Sequence, residues 1–123
     1  MENNGINAIV IDDNKDVRDI FVELLKIQKV NVLAVGTDGK EAYELYQKYS
    51  PDVSFIDSLM PMYDGFYGLE KIKECNQKAF VVIMSGAFTE KAKIDHYKPD
   101  ALVEKPFHME EIQNILQNYV CTI

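Results

Sequence analysis

Cysteine is scarce in this chain, and so are the patterns that would give cysteine a role. The two present, Cys75 and Cys121, have no C-x-x-C spacing, which excludes a disulfide framework and leaves a reducing cytosol as the natural setting. Neither is a candidate metal ligand. No apolar run approaches the roughly 20 residues of a membrane span, and the opening MENNGIN is polar and acidic, unlike a signal peptide. A cytoplasmic location is expected. Positive charge is also in deficit: 20 acidic against 13 basic residues give a net charge of −7 with no local basic patch. Nucleic acid and anionic membrane are repelled by that balance. Ser/Gly-rich linkers, low-complexity tracts and internal repeats are missing too, so no domain boundary is expected within residues 1–123. The length matches a single domain of roughly 100–150 residues, and the 47% hydrophobic content supplies a core.

Short aliphatic runs alternate with longer segments of helical period. The runs are Ala8–Ile11, Val30–Val35, Val53–Ile56, Phe80–Met84 and Ala101–Val103. Several are continuously apolar and rich in Val and Ile, which suits strands covered on both faces, as in a parallel sheet flanked by helices. Between them, Val17, Ile20, Phe21, Leu24 and Leu25 repeat at three-to-four spacing, with Asn14 or Asp13 placed to cap the first turn. A second helix starts at Asp38, where Asp38 and Glu41 have capping-box spacing, and ends before Pro51. Further helices are expected at about Phe66–Glu74, Thr89–Tyr97 and Met109–Tyr119. Five strand–helix units predict an α/β fold, most simply a doubly wound five-stranded parallel sheet with right-handed crossovers.

The stretch SFIDSLMPMYDG, Ser54–Gly65, poses a question. Phe55 and Ile56 read as the end of a buried strand, yet Asp57 follows them with a carboxylate that such an environment disfavours unless compensated. In a doubly wound sheet, sites form outside the carboxyl ends of the strands. Polar residues fall there repeatedly: Asp12 and Asp13 after the first strand, Asp57 at the third, Ser85 after the fourth, Lys105 after the fifth. Each alone reads as a cap, a turn residue or a solvated charge; together they converge on one edge. Three carboxylates in one crevice call for a cation, and hard oxygen ligands suit Mg²⁺, which keeps positions open for phosphate oxygens. A lysine and a hydroxyl across the cleft are the parts needed to hold a phosphoryl group that a carboxylate such as Asp57 can accept.

The pair Asp12–Asp13, the D-x-x-M-P-x-x-D-G pattern through Asp57, Met60, Pro61, Asp64 and Gly65, then Ser85 and Lys105-Pro106-Phe107 resemble, in order and spacing, a response-regulator receiver domain of two-component signalling. The resemblance is to chemotaxis-regulator-like members, covers nearly the whole chain, and makes residues 1–123 one receiver domain. It implies the flavodoxin-like strand order 2-1-3-4-5. It also implies that Asp57 accepts a phosphoryl group from a phosphohistidine on a sensor histidine kinase or histidine phosphotransfer domain. Asp13 and Asp57 would ligate Mg²⁺ directly, Asp12 mostly through water, and the carbonyl of Leu59 would complete the set. Lys105 would pair with Asp57 at rest and with the phosphoryl oxygens afterwards. Ser85 would swing toward those oxygens and signal through the surface of helix 4, strand 5 and helix 5 to a protein partner, as a monomer or a phosphorylation-dependent dimer. Gly65 would supply a backbone conformation other residues resist, and the Lys105–Pro106 bond would be cis. The domain would be no enzyme beyond its own phosphoryl transfer and dephosphorylation.

Departures from the family pattern accompany the match. Leu102 stands where many receivers carry Tyr or Phe, with Phe88 or Tyr97 as possible substitutes, and HYKPDAL lacks the usual Gly-Ala, which predicts an atypical fourth helix. EKAK, Glu90–Lys93, reads as a solvated helical face, and His96 and His108 read as surface and helix-start residues. Leu59 and Ala87 flank the approach of hydrolytic water in the family; neither side chain can orient water, so slow self-dephosphorylation is expected. With Met1 at its start and no effector segment, the chain reads as a stand-alone receiver. The alternatives are a receiver excised from a hybrid kinase, a binding-only pseudo-receiver, and a small Mg²⁺-dependent phosphohydrolase with an aspartyl-phosphate intermediate. The hydrolase usually has D-x-D after its first strand, which this chain lacks.

Overall fold

The computed structural model describes residues 5–86 and 90–122. Strands and helices alternate throughout: β1 (Asn7–Ile11), α1 (Lys15–Ile27), β2 (Asn31–Gly36), α2 (Gly39–Tyr49), β3 (Val53–Asp57), α3 (Gly65–Cys75), β4 (Phe80–Ser85), α4 (Lys91–Tyr97), β5 (Ala101–Glu104) and α5 (Met109–Thr122). The sheet is parallel, in the order β2-β1-β3-β4-β5. All five expected strands form, with no boundary displaced by more than one residue. Among the described residues no helix is long and apolar enough to cross a membrane.

The period-2 alternation of the strands divides the interior into two clusters. Val10, Phe55 and Val82 point to one face and pack against Phe21 and Leu25 of α1 and Ile112 and Leu116 of α5. Ile9, Ile56 and Ile83 point to the other, against Ala42 of α2 and Phe66, Leu69 and Ile72 of α3. Every residue of β3 is buried, as its central position requires. β2 is not among the strands covered on both faces. It is an edge strand whose first five residues alternate between exposed and half-buried, leaving Leu33 and Val35 in contact with solvent. Ile20, counted on the inner face of α1 from spacing, is 57% exposed, because the buried stripe of that helix is centred on Phe21 and Leu25.

Side-chain caps set the helix starts. Asn14, not Asp13, caps α1, accepting from the Val17 N–H at 3.1 Å. Asp38 accepts from the Glu41 N–H at 2.8 Å, while the Glu41 carboxylate reaches one residue beyond the capping-box position and takes the Thr37 N–H at 2.7 Å. Asp64 caps α3 through the Tyr67 N–H at 2.9 Å. The fourth helix is atypical, as expected: it has seven residues and none is fully buried. It is held to α3 by the Phe66–Tyr97 ring pair at 5.4 Å and the Lys93–Asp64 ion pair at 3.2 Å. His96 is exposed on α4, and the carbonyl of His108 accepts the N–H groups of Glu111 and Ile112 in the first turn of α5. Thr89, the expected start of the fourth helix, lies outside the described residues, as do Ala87 and Phe88.

Candidate functional site

Register decides which strand ends meet. Ile11 pairs with Ile56, Asp57 with Met84, and Ser85 with Glu104, so the residues after β1, at the end of β3 and after β5 lie side by side at the carboxyl edge. Asp12 is fully buried and heavily engaged. Its N–H donates to the Gly36 carbonyl at 3.0 Å, its carbonyl accepts from Arg18 Nη1 at 2.9 Å, and its Oδ1 accepts from the Asn14 N–H at 2.9 Å. Asp13 is exposed at the mouth. Asp57, the last residue of β3, is 5% exposed. Carboxylate oxygens of Asp12, Asp13 and Asp57 lie within 4.8 Å of one another.

Lys105 answers part of the question raised by Asp57. Its Nζ pairs with Asp57 Oδ1 at 2.8 Å and with Asp12 Oδ2 at 3.2 Å. Its backbone is tied to β4, the Lys105 N–H donating to the Ser85 carbonyl at 3.0 Å. The Lys105–Pro106 bond is cis, as expected. Among the described residues Lys105 is the one cation ion-paired with these carboxylates, Arg18 reaching only the Asp12 carbonyl, and the balance is left incomplete. Burial, more than any other cause, pushes the Asp57 carboxyl up from 3.8 to about 6; Lys105 opposes the rise, and the charges of Asp12 and Asp13 add to it. The Lys105 ammonium is affected conversely. Burial disfavours its charge, but the hydrogen bond and charge of Asp57, with Asp12 behind them, outweigh burial and hold its pKa above the ordinary value.

The donor set fits a small divalent cation. Three carboxylates within reach of one point, an open mouth at Asp13 and an undercompensated buried Asp57 are the features that a hard, strongly hydrated ion such as Mg²⁺ satisfies. Leu59, two residues beyond Asp57, is 57% exposed in the connection to α3.

Gly65 has a different task from the one expected. Among the described residues the only glycine with positive φ is Gly5; in this turn the left-handed residue is Met62, at φ 67°. What Gly65 provides is room. A Cβ there would overlap the carbonyl oxygen of Asp57, so the start of α3 presses directly on the end of β3.

Ser85 ends β4 and is buried, but its hydroxyl donates to Oε2 of Glu90 at 2.8 Å. Glu90 is 5% exposed, which corrects its reading as part of a solvated face; Lys91, Ala92 and Lys93 do face solvent. Glu90 and Arg18 are the site neighbours that sequence reasoning passed over. Arg18 offers no motif, and a glutamate beside lysines carries the signature of an exposed turn. Leu102, where the resemblance expects a ring, borders a cavity of about 370 Å³ between α4 and β5, together with Ser85, Ile94, Val103 and Lys105. Tyr97 packs on Phe66 rather than filling that space.

Comparison with known proteins agrees with this geometry. The family model described as the response regulator receiver domain matches residues 8–117. The chain is 25% identical over 113 residues to the chemotaxis protein CheY of Halobacterium salinarum, covering 90% of this chain and 93% of that one. It is 32% identical over 126 residues to protein PilG of Pseudomonas aeruginosa, covering 97% and 90%. Other curated relatives are longer, and the chain spans 54% of one and 24% of another. Among solved structures, it superposes on a chain of the CheX-CheY-BeF3-Mg²⁺ complex of Borrelia burgdorferi with a TM-score of 0.85 at 20% identity, covering 95% of this chain and 90% of that one.

Proposed function

Because this chain belongs to the response regulator receiver domain family of two-component systems, we propose that it accepts a phosphoryl group on Asp57 and passes the change to a protein partner. We read the whole of residues 1–123 as that one domain, acting in the cytoplasm as a signalling module that turns over no external substrate. The observation that carries the reading is the buried Asp57 carboxylate at a strand end, with Lys105 at 2.8 Å and two further carboxylates within 4.8 Å.

The chemistry follows from these residues. With its pKa near 6, Asp57 is largely ionised in neutral solution and can attack the phosphorus of a phosphohistidine. The new bond is an acyl phosphate, and the imidazole of the sensor kinase or histidine phosphotransfer domain leaves. Asp13 and Asp57 would hold Mg²⁺ directly, Asp12 mostly through water, and the Leu59 carbonyl would share in the set. When bound, the ion neutralises charge on the transferring oxygens. Lys105 exchanges its contact with Asp57 for the phosphoryl oxygens, and the Ser85 hydroxyl turns to donate to them. That rearrangement alters the face formed by α4, β5 and α5, where a downstream partner would dock, the protein remaining monomeric or dimerising when phosphorylated.

Mass spectrometry after incubation with acetyl phosphate, with and without Mg²⁺, tests the assignment. Labelling is expected on Asp57 only with Mg²⁺, and to vanish in Asp57→Asn and Asp13→Asn. Undiminished labelling in either variant refutes it, and catalytic turnover of a generic phosphomonoester would favour the phosphohydrolase reading instead.

A further inference from the structure

Glu90 is a buried carboxylate that the phosphoryl chemistry does not use. It immediately precedes α4, is 5% exposed, and accepts the Ser85 hydroxyl on Oε2 at 2.8 Å. Its other oxygen, Oε1, is buried with no hydrogen-bond partner among the described residues. Such a carboxylate depends heavily on each hydrogen bond it does make, because an unpaired buried polar group carries its full desolvation cost. α4, by contrast, is lightly anchored, with no fully buried residue and a cavity of about 370 Å³ between it and β5.

We propose that Glu90 is a positioning residue that holds the Ser85 hydroxyl in the resting protein, and that losing this bond is what releases α4. The proposal rests on the reading above, in which Ser85 donates to the phosphoryl group. A hydroxyl has one proton to donate, so it serves either Glu90 or the phosphoryl oxygen. Once Ser85 turns away, neither oxygen of Glu90 keeps that partner, and the carboxylate relieves its burial by moving toward water. Because Glu90 is joined directly to Lys91, that motion draws the first turn of α4 outward. The cavity and the absence of deep anchors let the helix follow: the solvent-exposed Lys93–Asp64 pair in that first turn gives way, and the Phe66–Tyr97 contact at the last residue of the helix acts as the pivot. The latch also lowers the fraction of protein ready to accept the phosphoryl group, and apparent affinity falls with that fraction.

The test uses the full chain, ¹⁵N-labelled, titrated with beryllium trifluoride as phosphoryl mimic at fixed Mg²⁺. Glu90→Ala is expected to lower the midpoint about tenfold, the low end for a hydrogen bond to a charged acceptor. Glu90→Gln, whose amide oxygen can still accept from Ser85 without the charge, should fall between parent and Glu90→Ala. Without the mimic, the α4 amide resonances of Glu90→Ala should lie partway along the line from free to saturated parent. Measured in the Glu90→Ala background, where no latch remains, Ser85→Ala should raise the midpoint, and the double variant should lie within about twofold of Ser85→Ala alone, since the two residues act through one bond. A midpoint for Glu90→Ala and Glu90→Gln at or above the parent's, or an undiminished tenfold gain in the Ser85→Ala background, overturns the latch while leaving the role of Ser85 intact. A midpoint for the double variant no higher than that of Glu90→Ala overturns the role of Ser85, and the latch with it.

Discussion

Replacing the phosphoacceptor, Asp57→Asn, is expected to make the metal-free protein more stable at neutral pH. The folded-state carboxyl titrates at about 6 against 3.8 as its ordinary value, so the folded protein binds the proton more tightly than the unfolded chain. Below the ordinary value the group is protonated in both states and imposes no penalty. As pH rises the unfolded chain releases its proton first, stability falls, and the loss is complete once the folded carboxyl has ionised. At 1.36 kcal/mol per pKa unit, the rise from 3.8 to about 6 sets a ceiling of about 3 kcal/mol. Solvent at the open, Asp13-lined mouth screens part of this, and an advantage of about 1–2 kcal/mol is expected. Lys105 does not reverse the sign, since it keeps Asp12 Oδ2 at 3.2 Å when the Asp57 charge is removed. Urea denaturation of parent and variant in chelator, at about pH 7.5, 6, 5 and 4, reads the difference directly, because groups common to both proteins cancel. The gap should be widest at the highest pH and close toward the lowest. A variant no more stable than the parent at about pH 7.5, or a gap that does not change with pH, would refute the reasoning. Added Mg²⁺ should stabilise the parent more than the variant and narrow the gap, by the linkage of ligand binding to folding.

Gly65→Ala drives a methyl group into the Asp57 carbonyl and should cost roughly 1–3 kcal/mol, the range for overpacking, while slowing acetyl phosphate labelling; unchanged urea stability would show that the turn yields freely. Leu59, 57% exposed beside the acceptor, cannot orient water, so phosphorylated parent should decay slowly and Leu59→Asn several-fold faster, polar groups near a reacting centre assisting proton transfer. Decay followed by loss of label in excess Mg²⁺ checks this; decay of the parent within seconds, or no acceleration in the variant, contradicts it.

The alternation of Val/Ile runs with segments of helical period was enough to establish five strands, five helices and an α/β fold, because those periods are local. Two caps were legible for the same reason: Asn14, one of two candidates, and Asp38 each bond an N–H three residues on, whereas the same role of Asp64 at α3 emerged only from the structure. The positions of Asp12, Asp13, Asp57, Ser85 and Lys105 at or just past strand ends followed from the same local reading, and the strand order came from the family resemblance they carry. Tertiary structure alone decided what depends on atoms far apart in the chain. Lys105 lies 93 residues from Asp12, yet serves it as well as Asp57, and that shared cation leaves Asp57 undercompensated. Gly65 reads as a turn residue until α3 is laid against the end of β3, where its missing Cβ is what lets the Asp57 carbonyl fit. Ile20 follows the helical period yet points away from the sheet, and Glu90 sits among lysines yet is buried on Ser85. Periodicity records which side chains prefer to leave water; which of them find a partner there depends on how the elements pack.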